Sequence, residues 1–312
     1  MERRSFLRFA GVSAIAAASG QAAQAQQDSG NEVTAFVLVH GSWHGGWSWE
    51  LVAKHLNDAG HMTVSIDLPG NGLDAGIPRS FEQRPLDPVA FATEVSKFAS
   101  IEADEYADAV VEGANRAIAM GATKVIAVGH SSGGVPITFA AAKEPEKFQG
   151  LHYVAAVAPV GEKPSGAYFA LPAQQEKAKL WPLILADPAT VGAFRVDPRS
   201  TDPEYLATFK AALAADVDDD LLSSVRNLLT PDSPASKHNH VPEFAEGFSN
   251  IKKTYVRCTE DFAVVPEVGA AIVDDMNATW PNSPTNMVDI VSSHEVMFSK
   301  PKELAEILIA NA

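Results

Sequence analysis

Short apolar runs recur along the chain, and most are followed by a turn and then by a segment with apolar residues at helical spacing. The runs cover residues 34–40, 63–66, 125–128, 153–157, 254–257 and 287–291. Continuous runs of this kind are typical of strands buried on both faces of a parallel sheet. The intervening segments predict helices over residues 48–59, 104–120, 135–143, 266–274 and 301–310. Repeated β–α units predict an α/β fold, with a mostly parallel sheet, right-handed crossovers and helices on both faces.

The alternation of strand and helix lapses between residues 161 and 248. Helical patterns dominate there, for example over residues 203–215, where Asp202 is a candidate N-cap. The sequence therefore predicts an α-helical cap inserted into a core that is formed by residues 34–160 and 249–312.

Two residues mark the predicted ends of the first helix. Ser48 is a candidate N-cap for the first helix, and Gly60 fits the position just after that helix ends.

Residues 73–100 are irregular and rich in proline, which predicts a surface excursion near the functional site.

The first 25 residues have the pattern of an export signal. An apolar run of small residues covers positions 9–18, and Ala-Gln-Ala at 23–25 supplies a cleavage signal. The run is shorter than the roughly 20 residues that span a bilayer, so a retained membrane anchor is not expected. A polar linker over residues 26–33 then leads into the domain.

Arg3 and Arg4 resemble the arginine pair of a twin-arginine signal, although Glu2 stands where such signals usually have Ser or Thr. We therefore expect export to the periplasm or the exterior of a bacterial cell.

Composition limits the class of protein. The 312 residues are 46% hydrophobic and 20% charged, which fits one ordinary globular domain or one domain that carries an insertion. A net charge of −15 argues against a nucleic-acid partner and against stable binding to an anionic membrane. Cys258 is the only cysteine, so no intrachain disulfide is possible, and we expect a buried thiol at the end of a strand. The oligomeric state stays open.

Residues 129–133, Gly-His-Ser-Ser-Gly, lie between a predicted strand and a predicted helix. A G-x-S-x-G sequence in this context is typical of a sharp turn that exposes a nucleophilic serine, here Ser131. Gly129 and Gly133 would let neighbouring backbone pass close to the turn.

A serine nucleophile needs a base, which in this architecture follows it in sequence and is oriented by a carboxylate. Four histidines follow Ser131. His152 lies beside a strand start, whereas His238 and His240 fall in a polar loop where solvated side chains are expected. His294 follows a strand directly, and loops at the carboxyl ends of strands are where ligands bind. We predict His294 as the base.

The carboxylate should also follow a strand. Asp261 does so, with Glu260 as the alternative. Asp289 lies inside a predicted strand, and Asp274 and Asp275 lie at the end of a predicted helix. We predict that Asp261 holds the imidazole in its working tautomer.

Acyl transfer also needs two donors for the oxyanion. The backbone N–H of Ser132, just after the nucleophile, is one candidate, and that of Ser42, in the loop after the first strand, is the other. Gly41 would let this loop approach the reacting atoms.

Metal and cofactor chemistry is not expected. His40 and His44 have no third ligand at metal spacing, and the acidic run at 216–220 lacks the glycine and alternation of a calcium loop, so a solvated helix end is predicted there. No phosphate-binding or dinucleotide-binding motif is present in the sequence.

Taken together, these motifs resemble the α/β-hydrolase superfamily. The resemblance covers the chain from about residue 34 to its end and rests on residues 37–47, 67–70, 129–134, 259–266 and 294–301. Within this superfamily, the motifs more specifically resemble the branch that holds plant methylesterases, hydroxynitrile lyases and bacterial carboxylesterases of the pyrethroid-hydrolase type. The resemblance implies that Ser131, Asp261 and His294 form a catalytic triad, and that Ser42 and Ser132 form the oxyanion hole.

Two positions separate the activities within this branch. Its hydroxynitrile lyases carry threonine where this chain has Gly41 and lysine where it has Glu295, so the resemblance favours ester hydrolysis. Ser293 stands where plant members usually have Asp, which puts the position of that loop in question. The excursion at 73–100 is longer than in the plant enzymes, and we expect it to narrow or cover the mouth of the pocket.

The sequence therefore predicts a serine carboxylesterase that acts on small to medium apolar esters without a cofactor. A hydroxynitrile-lyase-type C–C cleavage on the same scaffold and a non-catalytic hydrolase-like binding protein are the alternatives.

Overall fold

The structure is a computed structural model that describes residues 32–312. The predicted export signal at 1–25 and most of the predicted linker at 26–33 lie outside the described residues. Within residues 32–312, no helix is both long enough and apolar enough to cross a bilayer.

Strands and helices alternate along most of the described chain. The strands are β1 (Thr34–Val39), β2 (Met62–Ile66), β3 (Lys124–His130), β4 (Gly150–Val154), β5 (Ala193–Arg195), β6 (Asp232–Pro234), β7 (Lys252–Cys258) and β8 (Asn286–Ile290). The helices are α1 (Glu50–Asp58), α2 (Arg79–Glu82), α3 (Pro88–Thr93), α4 (Ala103–Ala119), α5 (Gly134–Lys143), α6 (Pro172–Lys177), α7 (Pro188–Val191), α8 (Pro203–Leu213), α9 (Asp219–Leu228), α10 (Pro266–Thr279), α11 (Val296–Ser299) and α12 (Pro301–Ala310). Short 3-10 turns cover Gly46–Trp49, Gly72–Asp74, Ser131–Gly133, Pro145–Lys147, Ser165–Ala170, Trp181–Leu183, Ser236–Asn239 and Phe248–Asn250.

Six strands form one parallel sheet in the order β2-β1-β3-β4-β7-β8. Alternate residues of β1 belong to two separate hydrophobic clusters: Val37 packs in the cluster that includes α4, α5 and α10, and Leu38 in the one that includes α1 and α12. Both faces of the sheet are therefore covered, as the unbroken apolar runs require. The predicted α/β fold with a mostly parallel sheet is confirmed.

Several local predictions hold and others do not. Asp202 caps α8 by accepting hydrogen bonds from two N–H groups of its first turn, and Gly60 takes a φ of +89° just past α1. Ser48, in contrast, caps no helix, because a 3-10 turn precedes α1 and buries this serine. The predicted strand at 153–157 is displaced: β4 ends at Val154, and Ala155, with a φ of +46°, turns the chain out of the sheet.

Residues 161–248 contribute no strand to the six-stranded sheet. They contain helices α6 to α9 and also an antiparallel pair, β5 with β6, which the sequence analysis did not predict. Strands of three residues are too short to show a period of two, so their pattern was not visible in the sequence.

Arg195, at the end of β5, is fully buried and joins three parts of the chain. Its guanidinium forms a two-pronged ion pair with Asp232 of β6, at 2.6 and 2.7 Å. The remaining terminal nitrogen donates to the backbone carbonyls of Phe91 and Glu94. The 73–100 excursion is thereby fixed to the β5–β6 pair.

Candidate active site

The loops that follow β1, β3, β7 and β8 meet at the carboxyl edge of the sheet. These loops carry Ser42, Ser131, Asp261 and His294, in that order. Because the strands are parallel, residues that are far apart in sequence come together at this edge.

Ser131 stands on a strained turn between β3 and α5. Its φ of +53° is uncommon for a residue with a side chain and is kept only where the surroundings enforce it. A Cβ at Gly129 would lie 2.4 Å from the carbonyl oxygen of Gly133, and one at Gly133 would lie 2.6 Å from that of His40. The turn therefore requires both glycines, as predicted from the motif. The Ser131 carbonyl accepts a hydrogen bond from the N–H of Val157 at 3.0 Å.

His294 and Asp261 form a buried pair. His294 Nδ1 lies 2.7 Å from Asp261 Oδ2, while Asp261 Oδ1 accepts hydrogen bonds from the N–H groups of Ala263 and Val264 at 2.7 and 2.9 Å. Glu260, the alternative carboxylate, is exposed. The structure thus brings Asp261, rather than its neighbour, to the histidine.

The pKa of His294 reflects two opposing influences. Burial favours the neutral imidazole, but the charge and hydrogen bond of Asp261, together with the charge of Glu295, outweigh it and raise the pKa above its ordinary value. With Nδ1 engaged by Asp261, Nε2 is the nitrogen that can exchange a proton with a ligand.

The loop after β1 packs against the serine turn. A Cβ at Gly41 would lie 2.9 Å from the Cβ of Ser131, so only glycine allows this approach. The hydroxyl of Ser42 donates to that of Ser132 at 3.1 Å. The two residues predicted to supply oxyanion donors are therefore adjacent.

A second buried pair joins His44 to Glu295. His44 Nε2 lies 3.3 Å from Glu295 Oε2, and His44 Nδ1 lies 2.7 Å from the carbonyl oxygen of Ser42. Both ring nitrogens face oxygen acceptors, so the arrangement needs one proton between Nε2 and the carboxylate. No sequence pattern indicates this pair, since His44 suggests at most a metal ligand and Glu295 a difference from lyases.

The pKa of Glu295 is about 2. Burial alone would raise it, but the charge and hydrogen bond of His44, followed by the charges of His130 and His294, lower it. An ionised carboxylate therefore lies beside the predicted base.

Other histidines near the site have structural partners. His130 Nε2 lies 3.0 Å from the carbonyl oxygen of His294, and burial, with the nearby histidine charges, lowers the pKa of His130 to about 3. His40 accepts from the N–H of Leu68 and faces the Gly41 carbonyl. Among residues 32–312, no group of histidines, cysteines and acids could hold a metal ion.

Ser293, where the branch usually has an acid, has a carboxylate partner from elsewhere in the chain. Its hydroxyl and N–H both donate to Asp216. Asp218 caps α9, as expected for a solvated helix end at 216–220. The loop before His294 is therefore held by the 161–248 segment.

A narrow cavity opens between this edge of the sheet and the 161–248 segment. Ser131 and His294 line it together. The full lining is Ser42, Trp43, Ser131, Ser132, Val157, Phe169, Leu180, Trp181, Ile184, Phe194, Leu213, His238, Ala263, Val264 and His294. The 73–100 excursion contributes no residue to this lining, and its expected role in narrowing or covering the pocket mouth stays a prediction.

His238 corrects another prediction. It was expected to be solvated, but it is 4% exposed and lines the cavity. His240 is exposed and lies 3.6 Å from Glu102, and His152 faces the carbonyl of Asn311 outside the cavity. No sequence signal distinguished His238, because its partners lie far away in the chain.

Comparison with known proteins gives a consistent result. Residues 36–307 match the profile of a family described as the alpha/beta hydrolase family. The chain is 28% identical to salicylic acid-binding protein 2 of Nicotiana tabacum, over 88% of this chain and 95% of that protein. It is 25% identical to methylesterase 7 of Arabidopsis thaliana, over 89% and 96% respectively.

A solved structure of a pyrethroid hydrolase from Sphingobium faniae has the same fold. It superposes with a TM-score of 0.68 at 20% identity, covering 89% of this chain and 96% of that one.

Proposed function

Because this chain belongs to the alpha/beta hydrolase family and acts as an esterase-type hydrolase, we propose that it cleaves carboxylic esters with Ser131 as nucleophile, through an acyl-enzyme. The observation that carries this proposal is the 2.7 Å contact between His294 Nδ1 and Asp261, which leaves Nε2 of His294 for the cavity that Ser131 also lines. The coverage of more than 90% of the relatives supports transfer of a whole-protein activity.

The first half-reaction follows from these positions. Ser131 Oγ attacks the ester carbonyl carbon while His294 Nε2 takes its proton, and the carbonyl oxygen becomes an oxyanion. The backbone N–H groups of Ser42 and Ser132 donate to that oxygen. The tetrahedral intermediate then collapses: the C–O bond to the alcohol breaks, and His294 returns the proton to the leaving oxygen. Ser131 is left acylated.

The second half-reaction repeats these roles with water. His294 takes a proton from water as its oxygen attacks the acyl carbon, and the bond to Ser131 then breaks as Oγ recovers that proton. Asp261 holds the tautomer and stabilises the imidazolium in both halves. The products are a carboxylic acid and an alcohol, and no cofactor enters these steps.

Replacement of Ser131 tests the proposal. Ser131→Ala should lower kcat on a p-nitrophenyl ester by roughly 10⁶-fold, the scale known for such triads. A fluorophosphonate probe should add one label to the peptide that contains Ser131. Ser224→Ala, an exposed serine on α9, is the control and should keep its turnover. Near-normal turnover by Ser131→Ala would overturn the proposal.

A lyase is the second candidate and is disfavoured by charge. Glu295, with its pKa near 2, places a negative carboxylate where cyanide release would need a cation. Cyanide release from a cyanohydrin without ester cleavage would reverse this choice.

We also propose that the chain is exported, because the arginine pair and the Ala-Gln-Ala signal precede the described domain. Cell fractionation and N-terminal sequencing of the mature protein test this. Retention of the full-length chain in the cytoplasm would contradict it, as would persistence of export when both Arg3 and Arg4 are replaced by lysine.

A further inference from the structure

The wall of the cavity opposite the serine turn is mainly apolar and aromatic. Phe169, Trp181 and Phe194 belong to it. The ring centroid of His238 lies 5.3 Å from that of Phe169 and 5.8 Å from that of Phe194. The imidazole is one of the few polar groups in this wall, together with the Nε1–H of Trp181, which has no hydrogen-bond partner within residues 32–312. A ligand that occupies the cavity must either pair with the imidazole or leave it unpaired.

The position of His238 is fixed by its neighbours. A Cβ at Gly166 would lie 2.8 Å from the carbonyl oxygen of His238, so the 3-10 turn Ser165–Ala170 packs directly on the histidine backbone. Ser165 is fully buried, and its hydroxyl lies 2.9 Å from His238 Nδ1. The backbone and the ring of His238 are therefore each fixed by a contact before any ligand binds.

The hydroxyl of Ser165 also sets the tautomer. Burial, together with the charge of Lys237, keeps the pKa of His238 well below its ordinary value, so the ring is neutral and carries one proton. Ser165 Oγ and His238 Nδ1 lie 2.9 Å apart, and within residues 32–312 no other acceptor lies within reach of this buried O–H, so donation to Nδ1 is what satisfies it. If Ser165 donates to Nδ1, the single ring proton lies on Nε2. The nitrogen left for the cavity is then a hydrogen-bond donor.

We propose that His238 is a specificity-determining residue whose Nε2–H donates to an oxygen acceptor on the substrate, other than the scissile ester group. The preferred substrates are then esters with an apolar body that carries a carbonyl or ether oxygen. Ser165 is a positioning residue, since it acts only through His238. This inference rests on the proposed ester hydrolysis.

A substrate series can detect this hydrogen bond. Methyl octanoate is compared with its 4-, 5-, 6- and 7-oxo derivatives, in which a ketone replaces one methylene at increasing distance from the ester. For the wild-type protein, we expect at least one ketone position to raise kcat/KM by roughly five- to tenfold over methyl octanoate, mainly through KM, as for one net hydrogen bond. Equal kcat/KM values across the whole series would overturn the proposal.

Variants assign the effect to the imidazole. His238→Phe preserves the aromatic packing but has no donor, and we expect the ratio of kcat/KM for the preferred ketone to that for methyl octanoate to fall to about one. His238→Gln restores an N–H donor and should recover part of the preference. Ser165→Ala removes the group that sets the tautomer and should reduce the preference severalfold. His240→Phe, at an exposed histidine outside the cavity, should retain it.

The outcomes separate this inference from the proposed function. An unchanged ketone preference in His238→Phe would overturn the role of His238 while leaving ester hydrolysis intact. Persistent hydrolysis by Ser131→Ala would instead overturn the proposed function. If thermal unfolding shows that His238→Phe does not fold, the decision rests on Ser165→Ala, whose single missing hydroxyl touches the cavity only through His238. A preference retained there at full size would count against the proposal.

Discussion

Two buried histidine–carboxylate pairs lie side by side at the carboxyl edge of the sheet, and they use the same groups in different ways. In the pair of His294 and Asp261, one ring nitrogen faces the carboxylate and the other remains for the cavity. In the pair of His44 and Glu295, both ring nitrogens face protein oxygens. The first pair can pass a proton to a substrate. The second holds the backbone of Ser42 and places the negative charge of Glu295 beside His294.

The carboxylates differ in a corresponding way. Asp261 is held by two backbone N–H groups in addition to His294, which makes it a rigid acceptor. Glu295 relies on charge, chiefly that of His44.

Within the two pairs, the largest expected effect concerns Asp261. Asp261→Asn should lower kcat by about 10³- to 10⁴-fold with little change in folding, because the amide favours the wrong imidazole tautomer. Steady-state kinetics on a p-nitrophenyl ester measure it. Glu260→Gln, at the exposed neighbouring carboxylate, is the matched control and should stay within twofold. A loss of equal size in Glu260→Gln would contradict the choice of Asp261 over Glu260 as the partner of His294.

The pair of His44 and Glu295 should contribute mainly to the free energy of unfolding. His44→Phe leaves Glu295 buried without its partner, and we expect a loss of about 3–5 kcal/mol in the free energy of unfolding. The double variant His44→Phe/Glu295→Met, which removes both charges, should recover most of this loss. Urea unfolding of the four proteins in the cycle measures the coupling. Additive losses would mean that the two side chains do not interact.

How far the sequence predicts this edge of the sheet depends on the type of contact. Ser131, Asp261 and His294 could be predicted because each directly follows a strand, and parallel strands bring such positions together. Glu295 also follows β8, but its partnership with His44 depends on side-chain directions that no periodicity encodes.

The 161–248 segment was predictable only in outline. The strand–helix alternation stops there, so the sequence indicated an insertion but not the β5–β6 pair. His238 and Ser165 are 73 positions apart, and only the tertiary fold joins them. A histidine among Pro, Ser and Asn residues was therefore interpreted as solvated, although tertiary packing buries it.

The pH dependence of activity should reveal the pKa of His294 in the pair with Asp261. His294 must be neutral to accept a proton, so kcat/KM should fall as the pH drops through its pKa. Asp261 raises that pKa, and Asp261→Asn should therefore move the acid limb to lower pH while reducing the plateau. A pH–rate profile from pH 4 to 9 measures the shift. An unmoved limb would show that a different group controls it.

The pH dependence of stability should report the second pair, with a smaller effect. The pKa of Glu295 falls from an ordinary 4.5 to about 2 on folding, so its contribution is present above pH 4.5 and is lost as the pH falls towards 2. The stability difference between wild type and Glu295→Gln should be constant above pH 5 and should shrink below it. Denaturant unfolding at several pH values measures this. A difference that grows on acidification would contradict the depressed pKa.

The buried guanidinium of Arg195 sets a limit on exchanging parts between relatives. The reacting groups lie on loops of the sheet, whereas most of the apolar wall of the cavity belongs to residues 161–248. Grafting that segment from another esterase would seem a direct route to a new substrate range. Because Arg195 also holds the carbonyls of Phe91 and Glu94, a graft without the 73–100 excursion would break this junction. The two segments form one structural unit and have to be exchanged together.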